Sequence, residues 1–284
     1  MIEIISSILD GLLIGLVYGL AAIGLTLIFG VMDVVNLAHG AVIALGMFSL
    51  YFFFGAGLHP YLALIPVAVI GFLLGVLIYQ IAVRRILDGP PLMTLLATFA
   101  VSMIIVGIGT ALWSTSPYNV NFKVQTLNIF GYTVTSARLI AALAAVLVTF
   151  MLYYFLYRTT LGKAVRAVSN NREAAELMGI PSQQILAISF GIGTALAMLS
   201  GALIATLFPF TILSGSIYEL KSFVASVLGG LGNPTGALFG GVILGLIEGS
   251  VAPFIAISWT NVIEFVIFVL ILLFFPTGLL GGRK

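Results

Sequence analysis

Two histidines and nine acidic residues are the side chains of this 284-residue chain that could transfer protons or bind a metal ion. The histidines are His39 and His59, and the chain has no cysteine. Catalysis would need a Ser/His/Asp arrangement, paired carboxylates or a cluster with metal-ligand spacing. No such grouping occurs along the sequence, which makes an enzyme the least favoured class and predicts neither a catalytic residue nor a metal site.

Two polar, turn-prone segments interrupt the apolar sequence instead. The first, 31–40, contributes Asn36, His39 and Gly40, and the second, 229–236, contributes Gly229, Gly230, Gly232, Asn233 and Pro234. In both, an Asn is followed within a few residues by Gly-Ala, which is a weak internal sequence similarity. Broken apolar segments in two halves of a chain point to a transport site, because unwound backbone in hydrocarbon needs protein or a water-lined cavity around it.

The sequence therefore predicts that the substrate pathway lies beside both breaks. The alternative is that both are ordinary interfacial loops between tightly turned helices, and the sequence does not decide whether they are re-entrant or interfacial. His39 has an alternative of its own, since a lone histidine beside glycine can be a hydrogen-bonded packing residue. Ionisable and polar residues inside a membrane are functional-site hypotheses by default.

The composition indicates which elements position these breaks. Hydrophobic residues make up 61% of the chain, charged residues only 7%, and the mean hydropathy is +1.25, whereas about a quarter of residues are charged in soluble domains. A spanning helix needs about 20 apolar residues. The prediction is a single membrane domain, 1–284, all-α and polytopic, with about eight transmembrane helices, interrupted or re-entrant segments and a possible inverted repeat. The charge-free intervals are 11–32, 34–83, 89–122, 139–157, 177–218, 222–247 and 265–282.

The basic residues predict the orientation. Eight of the eleven fall into three clusters, which the positive-inside rule places on the cytoplasmic side together with the C-terminus. The clusters are Arg84 with Arg85, then Arg158, Lys163, Arg166 and Arg172, then Arg283 with Lys284. Lys123, Arg138 and Lys221 are expected in segments that face outward. Asp33, Glu248 and Glu264 are expected at the membrane interface.

Small residues repeat every fourth position in four segments, a spacing that lets helix backbones approach closely. The segments contain Gly11, Gly15 and Gly19; Gly71 and Gly75; Gly193, Ala197 and Gly201; and Gly241, Gly245 and Gly249. Packing within the chain and packing against another subunit both fit this pattern.

One long polar segment, 158–182, contains a predicted short helix at 170–179. Asn170 with Glu173 three positions later forms a capping-box pattern, and Gly179 with Pro181 is typical of a helix end. Ala174, Leu177 and Met178 would share an apolar face. That face either packs on the chain's own surface or docks onto a separate cytoplasmic protein.

Glu173-Ala174-Ala175-x3-Gly179 resembles the coupling motif of ABC importer permeases, although the downstream Ile-x-Leu-Pro element of that motif is absent. Together with 35–41, 161–167 and 229–237, it makes most of the chain similar to the branched-chain amino acid ABC transporter permeases of the LivH type. The lack of a long N-terminal extension fits that type better than its LivM-type partner. The resemblance assigns ATPase coupling to Arg166, Glu173, Ala174, Ala175, Leu177, Met178 and Gly179.

The resemblance implies a second permease subunit of LivM type, two ATP-binding subunits and an extracytoplasmic binding protein that delivers leucine, isoleucine or valine. ATP and Mg²⁺ would be bound by the partner subunits, since Gly162-Lys163 lacks the rest of a phosphate-binding loop. No cofactor and no nucleic acid are expected, and the chain would be multi-pass in the cytoplasmic (inner) membrane. Urea or short-amide import, an ion-coupled secondary transporter and a channel remain open as alternatives.

Overall fold

The computed structural model describes residues 2–122, 124–129, 132–254, 257–274 and 278–280. Over these residues the chain folds mainly into helices. The elements are α1 (Ile2–Met32), α2 (His39–Gly55), α3 (Pro60–Ile78) continued by a π-helical turn (Tyr79–Val83), α4 (Pro91–Trp113), β1 (Thr126–Ile129), β2 (Tyr132–Thr135), α5 (Ser136–Arg158), α6 (Thr160–Asn170), α7 (Arg172–Leu177), α8 (Ser182–Ala205), α9 (Ser214–Gly229), α10 (Pro234–Val251) and α11 (Ile257–Phe274).

Six of the described helices are long and apolar enough to cross a membrane, namely α1, α3 with its π turn, α4, α5, α8 and α10. Two shorter apolar stretches, in α2 and α11, add to them. The prediction of a polytopic helical membrane protein with about eight spans is confirmed. The one addition is the antiparallel β1–β2 hairpin, with Thr126 opposite Thr135, in a segment that the charge-free intervals leave unassigned.

Two ion pairs mark the two ends of the helix bundle. Arg138, in the first turn of α5, pairs with Asp10 near the start of α1; this end carries the hairpin and is called the hairpin end. Arg172 of α7 pairs with Asp88, which directly precedes α4, at 2.8 Å; this is the α7 end. The first two basic clusters therefore lie at one end, whereas Lys123, Arg283 and Lys284 lie outside the described residues.

Glycines hold α1 and α10 together at backbone contact. A Cβ on Gly11 would lie 2.3 Å from the Gly245 carbonyl oxygen, and one on Gly15 would lie 2.8 Å from the Gly241 carbonyl oxygen. Such distances are too short for any side chain, so glycine is required along this seam. The choice that the sequence left open is resolved: this glycine face packs within the chain.

The centre of the bundle is α8, of whose most apolar stretch 83% is buried, against 17% for the peripheral α4. α8 packs on α3 as α1 packs on α10, and α2 meets α9. These contacts match α1, α2, α3 and α4 with α8, α9, α10 and α11 in that order, so the packing of the first four helices recurs in the last four. In this correspondence the chain break at 33–38 matches the break at 206–213 near Pro209. It does not match 229–236, so the Asn/Gly-Ala similarity in the sequence does not mark equivalent positions.

Candidate functional site

The first break, 33–38, returns the chain into the bundle between α1 and α2. Asn36 is 2% exposed, and its Oδ1 accepts a hydrogen bond from the Ala38 N–H at 3.1 Å. The Leu37 N–H donates to Thr98 Oγ1 of α4 at 3.2 Å. Side chains of the protein therefore accept from two N–H groups of the unwound segment, the kind of partner that a break in an apolar environment needs.

Asn36 lines an open cavity of about 390 Å³ between this break and α9. The wall is largely apolar, and its polar members are Asn36, Ser216 and Glu219; the apolar members are Leu25, Val35, Leu37, Leu220 and Phe223. An apolar cavity with few polar groups is the usual form of a small-molecule site. Asn36 thus contributes a polar group to the cavity wall, and its role in a substrate pathway stays a prediction.

His39 and Gly40 occupy different surroundings at the start of α2. His39 is fully buried, and its Nε2 lies 3.0 Å from the Ala21 carbonyl oxygen of α1, which is the packing arrangement that the sequence left as the alternative. Gly40 packs on α9, where a Cβ would come within 2.6 Å of the Gly215 oxygen. The role of both residues in the pathway stays a prediction.

The second break joins α9 to α10 as a tight turn. Gly230 and Gly232 have positive φ angles of 96° and 83°, a backbone region that glycine adopts without steric cost. Asn233 caps α10 by accepting hydrogen bonds at 3.1 and 3.2 Å from the N–H groups of its second and third residues. Pro234 is the first residue of α10, where a missing N–H costs nothing.

This turn lies beside the last turn of α1. A Cβ on Gly30 would lie 3.0 Å from Gly232 Cα, and Ser169 of α6 donates a hydrogen bond to the Gly30 carbonyl oxygen. Gly229 lies against Gly236 so closely that a Cβ on it would come within 2.0 Å of that residue's carbonyl. The second break is therefore at the α7 end, in contact with the residues that lead into the first break.

The interfacial prediction for Glu264 and the outward-facing prediction for Lys221 are wrong. Lys221 is 7% and Glu264 5% exposed, both within helices, and Lys221 Nζ donates to Glu264 Oε1 at 3.0 Å and to Glu248 Oε2 at 2.8 Å. Counting charge-free intervals assigns every charge to a boundary, which is why it missed an internal ion-pair cluster. Glu219 was missed for the same reason.

The polar segment forms two helices rather than the single helix predicted. α6 continues through Asn170, so the N-cap of α7 is Asn171, whose Oδ1 accepts from the Ala174 N–H at 2.9 Å. The predicted N-cap at Asn170 is one residue early, and α7 ends at Leu177. The predicted stop is confirmed, because Gly179 follows with φ of +81°.

Contacts at both ends hold α7 in place. Arg172 pairs with Asp88 and, at 3.2 Å, with Glu176. Ser182 donates a hydrogen bond to Glu176, and this bond is the main cause that lowers the pKa of the Glu176 carboxyl, with Arg172 adding to it. The carboxylate form that makes these contacts is thereby favoured.

The predicted coupling residues divide into two groups. Ala175 is 5% exposed and packs on the chain itself, and Arg166 donates to the Leu156 carbonyl oxygen at 3.1 Å. Leu177 and Met178, in contrast, are 89% and 83% exposed. Glu173, Ala174 and Gly179 are also exposed. The exposed group forms one surface, called the α7 tip, that presents apolar side chains beyond the bundle.

The fold and these features define a polytopic membrane permease. The chain belongs to the family described as the permease component of branched-chain amino acid transport systems, whose family model matches residues 7–272.

Several curated proteins are similar to it, over nearly their whole length or over about half of it. The high-affinity branched-chain amino acid transport permease LivH of Salmonella typhimurium is 27% identical, over 96% of this chain and 94% of that protein. Its counterpart BraD of Pseudomonas aeruginosa is 29% identical, over 98% and 95%. The ribose import permease RbsC of Escherichia coli is 29% identical over 54% of this chain and 50% of that protein.

Proposed function

We propose that this chain is a membrane-spanning subunit of an ABC importer that moves leucine, isoleucine and valine into the cytoplasm. ATP hydrolysis in partner subunits would drive the movement. Family membership and the names of the LivH and BraD relatives support the substrate class. The ribose permease shares only half of the chain, so the sugar substrate has less support.

The observation that carries the proposal is the α7 tip. Leu177 and Met178 expose nearly all of their side chains on a six-residue helix, which is too short to be stable alone. The Arg172–Asp88 ion pair and the hydrogen bond from Ser182 to Glu176 attach it to the rest of the chain. An exposed apolar tip among polar residues fits insertion into a groove of another protein.

In this proposal, the protein whose groove receives the α7 tip is the ATP-binding subunit. The α7 end, which carries two clusters of basic residues, is then cytoplasmic, and the hairpin end faces the extracytoplasmic binding protein. A second permease subunit of LivM type completes the membrane part, and two ATP-binding subunits hold ATP and Mg²⁺. The complex is placed in the cytoplasmic (inner) membrane.

Closure of the ATP-binding subunits would push on the α7 tip and through it on α6, which contacts Gly30 at the end of α1. The same residue lies against Gly232 in the second break. Movement at the tip thereby reaches the segments on both sides of the pathway. Asn36 and the apolar wall of the adjoining cavity suit a zwitterion with an aliphatic side chain.

One observation favours a second candidate, an ion-coupled transporter. The cluster of Lys221, Glu248 and Glu264 places ionisable groups between the helices of the bundle, and proton- or sodium-coupled carriers use such groups. Lys221 pairs with both carboxylates, however, so the cluster already contains a cation of its own.

Uptake in proteoliposomes separates the two candidates. We expect radiolabelled leucine to accumulate only with the co-purified ATP-binding subunits, ATP and binding protein, and not with this chain alone under a proton or sodium gradient. The double variant Leu177→Ser/Met178→Ser should lose ATP-binding subunits on co-purification, whereas Leu161→Ser, an exposed apolar position on α6, should retain them. Accumulation by the chain alone would reject the ABC mechanism.

A further inference from the structure

Glu219 is a carboxylate inside the bundle to which no described residue supplies a counter-charge. It lies in the sixth position of α9 and is half-buried, and none of the described residues forms an ion pair or hydrogen bond with its side chain. An unpaired carboxylate in a membrane is costly and usually functional. It was not among the acidic residues that the sequence singled out.

The nearest cation along the chain is committed elsewhere. Lys221 is two residues further on, and side chains at i and i+2 of a helix do not share a face. Its ammonium group pairs with Glu248 and Glu264 at 2.8 and 3.0 Å on the side of α10 and α11. Glu219 faces α2 instead, where a Cβ on Gly40 would lie 2.7 Å from its Oε2.

The carboxylate borders the cavity that Asn36 lines. Asn36 uses its Oδ1 within the break, and its Nδ2 makes no hydrogen bond with the described part of the chain. The polar groups of the cavity wall are thus the negatively charged carboxylate of Glu219, the amide N–H donors of Asn36 and the hydroxyl of Ser216. The remaining wall is aliphatic or aromatic.

We propose that Glu219 binds the α-ammonium group of the transported amino acid, a step that rests on the proposed function. The Asn36 amide would donate to the substrate carboxylate, and the apolar wall would take the branched side chain. Glu219 thereby selects amino acids over neutral amides and sugars.

The test is uptake by the complete importer, purified with its partner subunits and binding protein. Glu219→Gln should lower the maximal leucine uptake rate about ten- to a hundredfold, the worth of a charge-assisted hydrogen bond. The leucine concentration for half-maximal uptake should stay near the wild-type value, because the binding protein sets it. Glu219→Asp should keep most of the rate, and Ile217→Ala, on the exposed face of α9, should keep all of it.

A cysteine variant separates a charge requirement from a packing requirement, since the chain contains no cysteine of its own. Glu219→Cys should be nearly inactive, regain uptake when a sulfonatoethyl methanethiosulfonate restores a negative charge, and stay inactive with a trimethylammonium reagent. Wild-type importer treated in parallel controls for cysteines of partner subunits. Equal rescue by both reagents, or wild-type uptake in Glu219→Gln, would overturn the role of Glu219 while leaving the proposed function intact. Failure of the wild-type importer to take up leucine would instead reject the proposed function.

Discussion

Lys221 Nζ lies 3.0 Å from Glu264 Oε1 in the interior of the helix bundle, joining α9 to α11. The same ammonium group reaches Glu248 of α10 at 2.8 Å, and it lies over the Tyr18 ring of α1 at 4.9 Å from the centroid. One side chain thus connects four helices. Removing one partner of a buried ion pair leaves an uncompensated charge, which is more costly than removing both.

We therefore expect Lys221→Met to destabilise the folded permease by about 3 to 5 kcal/mol. The loss should appear as a lower midpoint of thermal unfolding of the purified protein in detergent. The double variant Lys221→Met/Glu264→Gln should recover part of it, because only one carboxylate is then left without a partner. Lys163→Met, at an exposed position in α6, is the control and should unfold at the wild-type temperature. An unchanged midpoint in Lys221→Met would show that the pairs contribute no net stability.

The glycine seam between α1 and α10 predicts that the effect of a Gly→Ala substitution on stability depends strongly on its position. Gly245→Ala would place a Cβ 2.2 Å from the Gly11 carbonyl oxygen, whereas a Cβ on Gly107 of α4 meets nothing within 4 Å. We expect Gly245→Ala to lose about 1 to 3 kcal/mol from overpacking. Gly107→Ala should be neutral or gain up to about 1 kcal/mol, since alanine restricts the unfolded chain and favours helix. Thermal unfolding in detergent measures both, and equal effects would contradict the seam.

Gly179 isolates the backbone geometry of the α7 tip. Its φ is +81°, and a Cβ there would meet no atom within 4 Å, so a substitution acts through backbone strain alone. Gly179→Val should alter the tip and leave ATP hydrolysis uncoupled from uptake, as should replacement of Glu173. Gly179→Asn should stay coupled, because asparagine tolerates this conformation. The ratio of ATP hydrolysed to leucine accumulated is the measurement, and wild-type coupling in Gly179→Val would place the docking surface elsewhere.

The second break predicts a block of transport. Gly232→Leu places a bulky side chain on a residue whose φ is +83°. Its Cβ would lie 3.5 Å from Gly30 Cα. We expect the variant to insert into the membrane and assemble normally, but to take up less leucine without a rise in ATP hydrolysis. A bulky residue at Gly230 should have the same effect. Gly57→Leu imposes the same strain at φ of +92° with nothing within 4 Å, and it should transport normally. Persistent uptake in Gly232→Leu would remove 229–236 from the pathway.

The sequence predicted most of the helices because hydrocarbon excludes unpaired polar backbone, so length and apolarity alone identify a span. The stop at Gly179 was likewise evident from residue type. The N-cap shifted from Asn170 to Asn171 because both residues can cap, and only the packing of α6 on its own chain decides between them. The hairpin had a signal in the β-branched residues of 126–135, but a search for long apolar intervals does not register it.

The candidate site was less predictable for a physical reason. Asn36 can be recognised from the sequence alone, because it is a polar residue within an apolar run. Glu219 and Lys221 stand only two residues apart, yet one faces α2 and the other faces α10 and α11. Their separation depends on the rotation of α9 about its axis, which is set by contacts with helices far away in sequence, such as the approach of Gly215 to Gly40.

The absence of side chains between the facing glycines of α1 and α10 has a mechanical meaning. Carbonyl oxygens and Cα atoms touch directly at Gly11, Gly15, Gly241 and Gly245, so no layer of rotatable groups lies between the two backbones to absorb a sliding motion. We therefore expect the two helices to move as one unit when the transporter changes conformation, because their backbones are in direct contact.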